Sequence, residues 1–283
     1  MATNFESKNL VPISMTQTVI VTKYTLLDYL RSRRFFIMVI ITGLISLLLT
    51  VLVGYYRPPS FLTNELSFYG SWWGNSVTFV VILSAIFFGG DAISGEFQNK
   101  TGYFGVPNPI RRSSIYIGKW IAAFIASLVM LGIFTVFTVG NGLYYFSGIP
   151  FEFVESLIFA LIYMASVLGF TFFFSSLFKN STMSILLTAI LFLFVFSLIQ
   201  TLVSVLVQIE PWFILTYGST IISNVLTTPY PQHMITQNLG PQAGNITLTT
   251  FNATIPEGLT IMAIYFIVTT IIGLILFERK EFN

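Results

Sequence analysis

The 283-residue chain has no cysteine, one histidine and few charges, with Lys, Arg, Asp and Glu making up 8% of it. Without cysteine there is no disulfide, no thiolate metal site and no cysteine nucleophile. His233 alone cannot build a multi-histidine centre, so no metal site is expected. Nor can 8% charge, beside 55% hydrophobic and 17% aromatic residues, dress the surface of a water-soluble domain. What the chain has instead is uncharged runs. From one charge to the next they cover 35–56, 66–90, 120–151, 156–178, 180–209 and 258–277. Each reaches the ~20 residues that cross a bilayer core. Residues 1–34 lack an apolar stretch followed by a small-residue cleavage site, so the expectation is an uncleaved anchor and no signal peptide.

These runs predict six spans at about 35–56, 74–90, 120–146, 154–178, 183–208 and 258–277. With the N-terminus inside, twelve of the thirteen Lys and Arg residues fall on the cytoplasmic side, and only Arg57 lies outside. That bias fixes the orientation by the positive-inside rule, with both termini cytoplasmic. Residues 17–34 alternate apolar and basic positions and predict a helix at the membrane surface. The uncharged stretch 211–228 is bounded by Pro211, Pro229 and Pro231 and broken by Gly218. A seventh crossing there would put Arg279 and Lys280 outside. It therefore reads as short re-entrant helices within an extracytoplasmic loop, 209–257, whose sequons make Asn245 and Asn252 candidate glycosylation acceptors. The expected fold is an all-α integral membrane protein of six transmembrane helices, in one domain spanning 1–283 and set in the plasma membrane. No room remains for a soluble domain of ordinary size.

Residues 91–119, DAISGEFQNKTGYFGVPNPIRRSSIYIGK, form the sizeable charged island between spans. Burying its charges mid-membrane would cost roughly 2.5 to 3.5 kcal/mol each, so the island belongs in the cytosol. Its pattern, with Glu96, Thr101, Pro109, Arg112 and Gly118-Lys119 in order, resembles the signature of ABC-2 type transporter permeases. The run Gly169 to Asn180 and the basic ending Phe-Glu-Arg-Lys-Glu-Phe resemble the same family. Lys100 stands where that family has Gly, and Gly102, Gly105 and Pro107 interrupt the short helix. The resemblance implies a coupling helix in the loop, seated on a separate ATP-binding cassette subunit. It makes Glu96, Thr101, Pro109, Arg112 and Lys119 the coupling residues, with Glu96 and Arg112 a candidate ion pair. It also implies a second permease copy, as homo- or heterodimer.

The chain carries no G-x-x-x-x-G-K-[ST], since Gly118-Lys119 runs into Trp120. ATP and Mg are therefore expected on the partner, with no cofactor, no catalytic residue and no nucleic-acid partner for this chain. The crossings hold no Asp, Glu, Lys, Arg or His, which disfavours a proton-coupled carrier. Ser197, Gln200, Thr201, Ser204 and Gln208 recur along one face of span five, and Asn75 adds to a looser set in span two. Two readings stand: the wall of a translocation path, suited to an amphiphile, or hydrogen bonding between helices. The function expected is an exporter permease. The alternative is an ATP-independent channel or secondary carrier.

Overall fold

Capping residues set where several helices begin. Ser32, Asn64 and Asn180 each stand before a helix and accept hydrogen bonds from main-chain N–H groups of its first turn, and Thr254 forms a reciprocal capping box with Glu257. A computed structural model describes residues 14–99, 110–238 and 247–280. Its helices are α1 (Ser14–Arg31), α2 (Arg33–Tyr56), α3 (Pro59–Leu62), α4 (Glu65–Tyr69), α5 (Asn75–Gly89), α6 (Ser94–Gln98) and α7 (Arg112–Phe146). They continue with α8 (Phe151–Leu177), α9 (Ser181–Ile190), α10 (Phe196–Leu202), α11 (Leu215–Gly218), α12 (Ile221–Asn224) and α13 (Ile255–Arg279). A wide π-helical turn, Gly70–Gly74, joins α4 to α5, and two more, Leu191–Val195 and Val203–Val207, flank α10. Strands β1 (Met234–Asn238) and β2 (Thr247–Phe251) pair antiparallel, with Met234 opposite Phe251.

Six stretches are long and apolar enough to cross a membrane: Arg33–Tyr56, Glu65–Gln98, Arg112–Phe146, Phe151–Leu177, Ser181–Val207 and Ile255–Arg279. The chain is an all-α multi-pass membrane protein, in which the hairpin is a local addition. Crossing two forms the centre, 67% buried over its most apolar window, whereas crossing five is 11% buried. α5 is packed between α7 and α8, and α13 lies along α8, where Ser166 Oγ donates to Met262 O at 2.8 Å. Trp73, Phe134 and Phe153 interlock in the interior, with the Trp73 and Phe134 rings stacked at 5.7 Å.

The structure adds detail to four of the sequence expectations. Crossing two starts at Glu65 instead of 74, because Gly70 and Gly74 lie within a wide helical turn that continues the helix and buries Trp72 and Trp73. α7 starts at Arg112, so residues 112–119 are helical and continuous with crossing three. Charges at a helix end keep their heads at the polar boundary while the helix runs on. The segment before crossing six contains the β1–β2 hairpin as well as irregular chain. Finally, α1 docks along α7: a Cβ on Gly118 would lie 2.8 Å from Val21 Cβ and 2.9 Å from Thr18 O. The absent side chain at Gly118 is what lets the two backbones approach.

Short helices do occupy the connection between crossings five and six, and Leu215, Tyr217, Ile221 and Ile222 are fully buried there. Protein, not lipid, surrounds their short backbone, as irregular chain at this depth requires.

Candidate functional site

Helix α1, the end of α13 and the start of α7 gather at one basic end of the bundle. Segment 91–98, which closes crossing two, is the hub of that end. Asp91 pairs with Arg34 at the start of crossing one. Glu96 pairs with Lys119 of crossing three, and Lys119 Nζ also donates to Ala92 O at 2.8 Å. The Ser175 hydroxyl of crossing four accepts the main-chain N–H groups of Ile93 and Ser94 at 2.9 and 3.0 Å. Gln98 Oε1 accepts Ser181 N–H at the start of crossing five, at 2.7 Å. The Phe97 ring packs edge-on against Phe277 of crossing six. One short segment thus holds every other crossing.

The far stem of the loop is held as well. Arg112 Nη1 donates to Glu278 O and Lys280 O at 2.8 and 2.9 Å. Lys280 Nζ in turn donates to Ser176 O and Phe178 O and lies 4.4 Å from the centre of the Phe97 ring. Burial, then the nearby Lys179 charge, lower the Lys280 ammonium to about 8. α1 completes the frame: Tyr29 O–H donates to Phe88 O at 2.7 Å, Gln17 Oε1 accepts Arg111 N–H at 3.1 Å, and Thr22 Oγ1 donates to Gly118 O at 3.1 Å. Between α1 and segment 91–98 lies a cleft of 290 Å³ lined by Asp28, Tyr29, Arg34, Asp91, Glu96 and Lys119.

Of the expected coupling residues, Glu96 and Lys119 come together and Arg112 binds the carbonyls beyond α13, so the ion pair expected between Glu96 and Arg112 is replaced by Glu96 with Lys119. The reason is the early start of α7. Its second turn carries Lys119 over the end of crossing two, while its first residue faces the end of crossing six. Thr101 and Pro109 fall outside the described residues. Arg34, Asp91, Ser175 and Gln17 were missed by sequence reasoning, and their partners lie 57 to 94 positions away. A carboxylate directly after a charge-free run, as Asp91 is, was the one readable signal.

The polar row of crossing five divides. Gln200 Oε1 accepts Thr216 Oγ1–H at 2.9 Å and Ser204 is buried, whereas Ser197 and Thr201 are exposed on the chain's surface. Gln208 ends the crossing in a left-handed conformation, φ 55°. Asn75 lies at the opposite end from the basic cluster, in a polar cleft of 440 Å³ with Asn64, Ser71, Ser223 and Thr227. Asn252 Nδ2 donates to Gln232 O at 2.9 Å at the base of the hairpin, and Asn245 falls outside the described residues.

A sequence family described as ABC-2 family transporter protein matches residues 19–282. The chain belongs to that family. It is a membrane permease component of an ABC transporter, and such components are not themselves catalytic. No curated protein matches this ABC-2 permease. The family match covers the hub and its partners in all the other crossings.

Proposed function

We propose that this permease is the membrane-spanning subunit of an exporter in the plasma membrane, with its basic end in the cytosol. Loop 91–119 would grip a separate ATP-binding cassette subunit that carries ATP and Mg, and a second permease copy would complete the path. The observation that supports this is the hub: segment 91–98 is bonded or packed to every other crossing. A partner that moves the loop therefore moves the whole bundle. Closure of the ATPase pair then shifts the population between two openings of the spans, since it favours one position of the loop. The exposed Ser197 and Thr201 hydroxyls, on an otherwise apolar surface of crossing five, suit a path wall shared with the second copy.

The test is reconstitution with a P-loop ATPase encoded beside it. Glu96→Ala and Arg112→Ala are expected to lower transport-coupled hydrolysis while leaving the ATPase's own activity intact. Transport that persists without ATP, or unchanged coupling in both variants, would return the reading to a channel or secondary carrier. The cysteine-free background also allows single-cysteine labelling. Asn99→Cys is expected to react only from the cytosol and Thr227→Cys only from outside.

A further inference from the structure

We propose that Glu210, His233 and Glu257 bind one divalent metal ion of the zinc class, at the end of the bundle opposite the basic hub. The three side chains come from separate elements: the chain just beyond crossing five, the residue before β1, and the first turn of α13. One donor atom from each lies within 4.8 Å of the others. His233 Nε2 is 3.4 Å from Glu210 Oε2, while Glu257 Oε2 lies 3.8 Å from the other ring nitrogen, Nδ1. Tetrahedral ligands about 2.1 Å from a zinc ion stand roughly 3.4 Å apart, the spacing already held by His233 Nε2 and Glu210 Oε2, and Glu257 would swing from the Nδ1 side to complete the set.

Each ligand is already oriented by a neighbour that would not itself touch the ion. Tyr217 O–H donates to Glu210 Oε1 at 2.7 Å, leaving Oε2 toward the ring. Thr254 N–H donates to the Glu257 carboxylate at 2.9 Å. Asn252 O lies 3.0 Å from His233 Nδ1, and a carbonyl only accepts, so Nδ1 carries the proton and Nε2 presents its lone pair to the Glu210 carboxylate. Among the described residues neither carboxylate has a Lys or Arg partner, and a bound cation would supply that charge. One imidazole nitrogen with two carboxylates favours zinc-class ions over calcium or magnesium, which prefer oxygen alone. His233 and Glu257 are 43% and 41% exposed, which leaves room for water at the remaining position. The bound ion would tie the hairpin base to the ends of crossings five and six. This proposal stands apart from the transport reading.

The test uses the full-length protein in detergent, stripped with a chelator and titrated with zinc chloride by calorimetry, with metal content measured after desalting. The expected result is one Zn²⁺ per chain and a higher melting temperature with zinc. His233→Gln and Glu210→Gln should each weaken binding about tenfold or more and abolish the zinc-dependent rise in melting temperature. No zinc uptake, uptake unchanged in both variants, or displacement of zinc by equimolar calcium would overturn the assignment.

Discussion

Trp73 donates its indole N–H to Ser156 Oγ at 2.9 Å, and that hydroxyl donates onward to Ile222 O at 2.5 Å. The wide turn within crossing two, the fourth crossing and α12 are thus joined through one buried serine. Ser156→Ala leaves a fully buried indole N–H without its acceptor and is expected to cost about 1 kcal/mol. Thermal unfolding in detergent, compared with the exposed Ser197→Ala, measures it. Equal melting temperatures for the two variants would show that this relay contributes nothing to stability.

Glu96 and Lys119 form a pair whose side chains are only 27% and 13% exposed. Removing either partner leaves the other, partly buried charge without this counter-charge, which costs more than the pair itself is worth. Glu96→Gln and Lys119→Met are therefore expected to destabilise separately by more than the double variant does. A double-mutant cycle should return a coupling of about 1 to 3 kcal/mol. Simple additivity would mean that the two groups do not sense each other.

Gly118→Leu is expected to push α1 off α7, since even a Cβ there would stand 2.9 Å from Thr18 O, a main-chain atom. The prediction is faster proteolysis within Ser14–Arg31 while the crossings remain protected. Unchanged cleavage would place α1 elsewhere.

Burial, then Lys179, lower the Lys280 ammonium from 10.5 to about 8. Between those values the unfolded chain keeps its proton while the folded chain sheds it, so the unfolded state binds more protons and stability rises with pH. Below pH 8 both states are protonated and the burial cost is felt in full; the relief grows as pH climbs from about 8 toward 10.5. Melting temperatures of the wild type and Lys280→Arg, taken on both sides of pH 8, should diverge as pH rises, because arginine stays charged. Parallel profiles would exclude titration of Lys280 in that window.

The six crossings were legible because a bilayer tolerates few charges and each run is bounded by them. The ends were less so. Arg112 looked like loop because charge was taken as the boundary, yet at a helix terminus it reaches carbonyls at the polar edge. Crossing two was expected from 74, although its uncharged run opens at 66, and Gly70–Gly74 form a wide turn that carries the helix back to Glu65. Such turns have no compositional signature, since only the hydrogen-bond spacing changes. At the basic hub, Glu96 and Lys119 were picked out by motif resemblance, but their pairing depends on how α7 lies over crossing two. Likewise His233 looked solitary, because Glu210 and Glu257 approach it only once the hairpin folds back.

The two wide turns in crossing five store slack. An ordinary α-helix advances about 1.5 Å and rotates about 100° per residue. Were Leu191–Val195 to tighten to that geometry, everything beyond would slide and swivel by about those amounts, lifting Gln200 off Thr216. The barest crossing can thus change which side chains it displays by winding alone, with no hinge and no broken helix.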